Sequence, residues 1–130
     1  RFAPRLAADE LVTRVRFPYL DATHQFAIEE TQRRYNSLAV AGAAAHVVHS
    51  NGRVDSAAVV VFGGADCPKR VELNVDRLDA RASSSDRLTW CNEIAATLPP
   101  HGDVQASAEY RQHAAAILVR RVLEQALQTP

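Results

Sequence analysis

Two apolar runs on either side of one turn signal do most to limit what this chain can fold into. Leu38–His49 (LAVAGAAAHVVH) and Val54–Phe62 (VDSAAVVVF) flank Asn51–Gly52. Asn-Gly supplies two consecutive residues that tolerate positive φ, which is what a tight turn between antiparallel strands requires. The pattern predicts a hairpin at the centre of a sheet. Alanine and Gly42 are weak strand formers alone. Their small size is expected to suit a strand packed closely beneath a helix. Gly63–Gly64 ends the second strand and reads as a bend where two elements approach closely. It is not a dinucleotide fingerprint, because the third glycine and the following helix are missing.

The rest of the chain can be read around that hairpin. Leu11–Phe17 (LVTRVRF) alternates, with Val15 and Phe17 on one face and Arg14 and Arg16 on the other. This predicts a first strand that Pro18 terminates. Residues 1–20 are thus read as a connector with the first strand, and 21–130 as the domain proper. Residues 21–36 are polar and read as an irregular loop or a short strand. A short strand or turn is expected around Lys69–Val75. Ala82–Ser85 leads into a helix capped by Ser85 or Asp86, with Leu88, Cys91, Ile94, Ala95 and Leu98 facing inward. Pro99–Pro100–His101–Gly102 breaks the chain. A final helix then runs from near Ser107 to about Gln128, with a broad apolar stripe through Ala115, Leu118, Val119, Val122, Leu123, Ala126 and Leu127. The expected class is α+β: an antiparallel sheet with a central hairpin, packed against two helices that include a long C-terminal one.

Composition narrows the function classes. Fifteen basic residues balance fifteen acidic ones, so there is no electrostatic case for nucleic-acid or membrane-surface binding. The longest apolar run, Leu38–Ala45, falls far short of the roughly 18–20 residues that span a bilayer. No leader-like pattern opens the sequence, and a cytoplasmic location is expected. Cys67 and Cys91 are too few for a disulfide scaffold and lack metal-ligand spacing. The sequence contains no methionine, which leads us to expect a piece of something longer.

The residues alone do not assemble a self-sufficient active site. His46 and His49 stand three apart, a spacing that shares a face on a helix but opposes faces on a strand. They are therefore read as sheet histidines, one near the hairpin turn. His24, His101 and His113 are scattered, and no metal site is expected. Neither cysteine has a neighbour in sequence that would stabilise a thiolate. Glu29–Glu30 could supply an acid or base, but adjacent charges in a polar segment usually form a solvated face.

Four segments, in order, resemble one known family. Asp103–Val104–Gln105–Ala106–Ser107–Ala108–Glu109–Tyr110–Arg111 is similar to a D-x-x-A-S-x-x-Y-R motif that opens the last helix of the FAD-binding medium subunit of molybdenum hydroxylases. These are the carbon monoxide dehydrogenase and xanthine dehydrogenase family. Arg33–Arg34, followed by Ser37–Ala44, resembles the family's R-R-x-G-D-F-A-L-V-G-A-A. Val60–Gly64 with Pro68 and Arg70 resembles its G-G…P-x-R turn, and Leu6–Pro18 resembles the connector leaving the FAD-binding portion. Asn36 and Ser37 depart from the family's Gly-Asp, and Ser37 cannot supply that carboxylate.

The resemblance implies the C-terminal domain of a flavoprotein subunit that positions FAD for electron transfer from iron–sulfur clusters. Ser107 is implied as the helix N-cap, and Asp103 with Arg111 as a tie between loop and helix. Arg33, Arg34, Asn36 and Ser37 are implied as the cofactor-facing residues. The glycine loops that grip the FAD pyrophosphate are absent, so this piece alone is not expected to bind FAD. The implied partners are an FAD-binding region and the molybdopterin and iron–sulfur subunits. A second reading is a stand-alone descendant that binds a small molecule or acts as a cofactor-free cyclase or isomerase. Its polar candidates are Glu29, Glu30, Arg33, Arg34, Tyr35, His46 and His49. A third is a homo-oligomerising module.

Overall fold

The computed structural model describes residues 6–65, 67–78, 84–97, 99 and 101–128, apart from the side chains of Ser84 and Asp86. Four antiparallel strands run in chain order across one sheet: β1 His24–Thr31, β2 Ala41–Ser50, β3 Arg53–Phe62 and β4 Lys69–Glu72. A 3₁₀ turn at Val75–Leu78 precedes α1, Ser84–Ala96, and α2, Ala108–Leu127. Among the described residues no helix is long and apolar enough to cross a membrane.

The predicted hairpin forms as read. Asn51 (φ 51°) and Gly52 (φ 73°) make the positive-φ turn, and β2 pairs with β3 from Gly42↔Phe62 to Ser50↔Arg53, with a bulge between Val48 and His49. Ala41, Ala43, Ala45 and Val47 of β2 pack with Ala57, Val59 and Val61 of β3 in one buried cluster with α2. The alanines bring α2 close to the sheet, as their size suggests. Gly42 belongs to the other face. A Cβ there would lie 2.2 Å from the Phe62 ring, so the cross-strand aromatic, not the helix, requires the glycine.

Helix α2 is the middle layer: it packs on β1, β2 and β3, while α1 packs on α2. Its buried stripe is Ala115, Ala116, Leu118, Val119, Val122, Leu123 and Ala126, with Arg111 buried at the first turn. This matches the predicted apolar face, and Ser107 caps the helix by accepting a hydrogen bond from the Tyr110 amide at 3.2 Å.

Three expectations need correction. The Leu11–Phe17 strand does not form; residues 11–21 form no helix or strand, because alternation alone provides no neighbouring edge. The first strand is instead β1, in the segment read as an irregular loop or a short strand, and the strand alternative is the one that forms. Its alternation hides Ala27, which packs against the core, and leaves Phe26 and Ile28 exposed, so polarity masked a half-buried strand. In α1, Ser85 and Asp86 lie inside the first turn rather than at the cap, since the helix begins at Ser84. Its inner face is Trp90, Cys91, Ile94 and Ala95, with Leu88 exposed. Leu98 and Ala82 lie outside the described residues.

Two glycines separate backbone strain from steric clash. Gly52 has φ +73° with open space around it, whereas a Cβ on Gly63 (φ +80°) would sit 2.9 Å from the Ala39 carbonyl oxygen. Gly52→Ala is expected to cost about 1 kcal/mol from backbone strain alone. Gly63→Ala is expected to cost about 3 kcal/mol, since a backbone clash adds to the same strain. Urea unfolding of the two variants measures the difference; equal costs would refute the close approach.

Candidate functional site

At the end of the hairpin opposite its turn, the chain leaves β1 through the paired-arginine loop and enters β2. Ser37 N–H donates to the Arg34 carbonyl at 3.1 Å, closing a tight turn, and Val40 N–H returns to the Thr31 carbonyl at 2.8 Å. Asn36, at the tip, has φ 61°. That left-handed conformation suits glycine and is tolerated by asparagine. The Asn36 departure therefore preserves the loop's backbone, while Ser37 supplies only a neutral hydroxyl.

The second wall is the Asp103–Ser107 loop and the start of α2. Asp103 Oδ1 accepts from the amides of Gln105 (2.8 Å) and Ala106 (3.2 Å) and from Arg111 Nη2 at 2.6 Å. These donors favour its charged form and hold its pKa down from 3.8 to about 2. Arg111 is 3% exposed. Its Nη1 donates to the Val40 carbonyl at 2.7 Å and the Gly63 carbonyl at 2.5 Å. One guanidinium thus joins the start of β2, the residue after β3, and the loop before α2. The Asp103–Arg111 tie implied by the resemblance is present, and it reaches further than expected.

Between these walls lies an open cleft lined by Thr31, Gln32, Arg33, Val40, Gln105, Ala106 and Tyr110, continued by Arg33, Arg34, Ser37 and Gln105. Arg33 Nη1 lies 3.4 Å from the Val104 carbonyl, which draws the loop toward the second wall. The four cofactor-facing candidates share this one loop. Arg33, Arg34 and Ser37 line the cleft, and Asn36 shapes it.

The other candidates do not join them. Glu29 points to α2, bonded to Arg121 Nε at 3.0 Å and to the Gln125 amide, an ion pair that ties strand to helix. Glu30 accepts from Gln32 at 2.5 Å. Tyr35 is almost fully exposed. His46 stands mid-strand opposite Phe26, about 17 Å along β2 from the arginine end at ~3.4 Å per residue. The Phe26 ring stacks on it at 4.4 Å, and its Nε2 lies 2.9 Å from His24 Nδ1. Burial, then the nearby His24, push the His46 pKa below 6.5. His49 lies beyond the bulge, with a buried Nε2 that has no partner. Reading His24 as scattered missed this pair, since only the β1–β2 register brings the two together. Gln105 and Tyr110 were also missed as cleft residues, although both lie within the quoted C-terminal motif.

Chemically the cleft offers two cationic guanidinium groups, the hydroxyls of Thr31 and Ser37, the amides of Gln32 and Gln105, and a tyrosine. It can bind and orient an anionic or electron-rich partner. No group of three or more His, Cys, Asp or Glu converges as a metal site among the described residues.

The fold and cleft define an α+β module that presents a cationic loop. Residues 26–126 match the CO dehydrogenase flavoprotein C-terminal domain, and the chain belongs to that family. It is 30% identical over 128 residues to the 6-hydroxypseudooxynicotine dehydrogenase complex subunit alpha of Paenarthrobacter nicotinovorans, covering 97% of this chain and 43% of that protein. It is 30% identical over 118 residues to the carbon monoxide dehydrogenase medium chain of Afipia carboxidovorans, covering 90% of this chain and 41% of that one. Reconstituted CO dehydrogenase from Oligotropha carboxidovorans superimposes with a TM-score of 0.72 at 26% identity, over 87% of this chain and 40% of that chain. The chain therefore spans less than half the length of the curated relatives it matches. The stand-alone cyclase or isomerase reading gains no support from these comparisons.

Removing the buried guanidinium in Arg111→Met leaves two carbonyls and a carboxylate without their donor, and is expected to cost about 3 kcal/mol in chemical denaturation. Asp103→Asn tests the same contact through pH. The folded carboxylate titrates near 2, against an ordinary 3.8. Its stabilisation is therefore complete above about pH 4 and vanishes as pH falls through 2. The wild-type advantage over Asp103→Asn is expected to shrink across that window, and a pH-independent gap would contradict the assignment.

Proposed function

We propose that this chain is the C-terminal domain of the flavoprotein subunit of a cytoplasmic molybdenum hydroxylase. In that role it sets one wall beside FAD while molybdopterin and iron–sulfur partner subunits deliver electrons. The observation that carries the reading is the arginine loop. Arg33 and Arg34 face one open cleft, backed by the Arg111 clamp on the Val40 and Gly63 carbonyls at the open end of the hairpin, in a chain of the flavoprotein family.

The residues present fit FAD as a wall and not as a cradle. Arg33 and Arg34 offer cationic donors, with Ser37 and Gln105 as neutral hydrogen-bonding groups, while no glycine-rich phosphate loop occurs in the sequence. When bound, the flavin supplies the electron-accepting chemistry. The chain's own residues position the loop, exclude water from one side of the cleft and place positive charge there. Such charge favours a group that gains electrons. Bond-making side chains are not needed for this role.

The test is redox titration of the full native protein, which is expected to carry a flavin visible by its absorbance. Arg34→Ala is expected to lower the flavin's two-electron potential by about 60 mV, the effect of one charge at roughly 6 Å in a medium of ε near 20. A flavin-loaded protein whose potential is unmoved by both Arg33→Ala and Arg34→Ala would overturn the placement. A native protein without flavin would overturn the whole reading.

A further inference from the structure

The sheet has two unlike faces. Helix α2 covers the one that carries Ala43, Ala45 and Val47, and the other carries His24, Phe26 and His46. On that face His24 stands opposite Val48 and His46 opposite Phe26, so the two histidines are diagonal neighbours across the β1–β2 pair. His24 Nδ1 and His46 Nε2 lie 2.9 Å apart, and their ring planes differ by 14°. Phe26 stacks on the His46 ring with 4° between the planes, which limits that ring's freedom. Backbone pairing holds both strands at this end, where the His49 N–H donates to the Thr23 carbonyl at 2.8 Å. Both histidines are half-buried. The spacing that argues against a His46–His49 chelate does not apply to this pair, which strand register creates.

A nitrogen–nitrogen separation of 2.9 Å suits one hydrogen bond, and it suits a shared ion equally. Two imidazole nitrogens bound at about 2.0–2.1 Å to one ion stand about 2.9 Å apart at a right angle and about 3.3 Å apart at the tetrahedral angle. Right-angle ligation by nitrogen is the preference of Cu²⁺ and Ni²⁺, whereas structural Zn²⁺ is tetrahedral. We propose that His24 and His46 form a two-histidine site for a divalent copper or nickel ion, bound through His24 Nδ1 and His46 Nε2. On binding, the ring that donates the hydrogen bond shifts its proton to its other nitrogen, and each ring turns a lone pair to the ion. Both imidazoles stay neutral, and no proton is lost. The Arg70–Glu72 ion pair stands on the same face beyond Ala58, and its opposite charges leave little net field on a cation. No third His, Cys, Asp or Glu converges with the pair among the described residues, so water or a small ligand fills the remaining positions. The ion replaces a hydrogen bond between β1 and β2 with two coordinate bonds and so staples the two strands. The site lies away from the arginine cleft and does not rest on the flavoprotein reading.

Calorimetric titration of the untagged full native protein with Ni²⁺ tests this, in a Cys67→Ser background that removes the exposed thiol. One Ni²⁺ is expected to bind with a Kd on the order of 10 μM. His24→Gln and His46→Gln are each expected to weaken binding by about tenfold or more, while His101→Gln leaves it unchanged. Added Cu²⁺ is expected to bind more tightly than Ni²⁺ and to show hyperfine coupling to two imidazole nitrogens by electron paramagnetic resonance. That spectrum is read on the protein with both histidines in place, so it decides the matter even where a glutamine disturbs β1. Binding that survives both glutamine variants, or coupling to a single nitrogen, would place the ion elsewhere and overturn the site. Absence of binding at about 1 mM Ni²⁺ would leave the pair a hydrogen bond and overturn it as well.

Discussion

The Arg111 guanidinium organises this molecule. A buried arginine costs several kcal/mol in desolvation unless its donors are met, and here the carbonyls of Val40 and Gly63 and the carboxylate of Asp103 accept three of its five N–H donors, while Nε has no partner. The consequence is topological. Val40 precedes β2, Gly63 follows β3, and Asp103 belongs to the loop before α2. One side chain therefore fixes the open end of the central hairpin to the first turn of the helix that covers it. Gly63 is required at this junction because its positive φ and its contact with Ala39 and Ala41 leave no room for a Cβ.

The functional surface inherits its shape from that clamp. The arginine loop is the connection from β1 into β2, so anchoring Val40 anchors one end of the loop. The Asp103 turn is the opposite wall, so anchoring Asp103 sets the cleft's width. Glu29 serves the same frame from the other side by tying β1 to Arg121 and Gln125 of α2. A carboxylate that sequence alone offers as an acid or base is thus a strut. The chemistry left exposed is cationic and non-nucleophilic, which suits a module that positions a redox partner.

Much of the fold was legible because local signals agreed with tertiary needs. Asn51–Gly52 announced a turn whose φ values only such residues adopt readily, and the stripe along α2 follows helical period almost residue for residue. Failures came where pairing or register decides. Leu11–Phe17 carries a strand pattern but pairs with no strand among the described residues. β1 could be read as a loop or as a short strand because Gln25, Glu29 and Glu30 diluted its alternation, and pairing with β2 decides for the strand. The site was partly legible: the loop residues came from family resemblance. The joining of Arg33 to the Val104 carbonyl, and of His24 to His46, depends on contacts between segments distant in sequence.

The most direct test is a crystal structure of the full native protein with its flavin bound. The account predicts that Arg33 or Arg34 lies within about 6 Å of the flavin, the range of strong charge interaction, with Arg111 still bonded to Val40, Gly63 and Asp103. A flavin seated elsewhere, with the arginine loop turned to solvent, would contradict it.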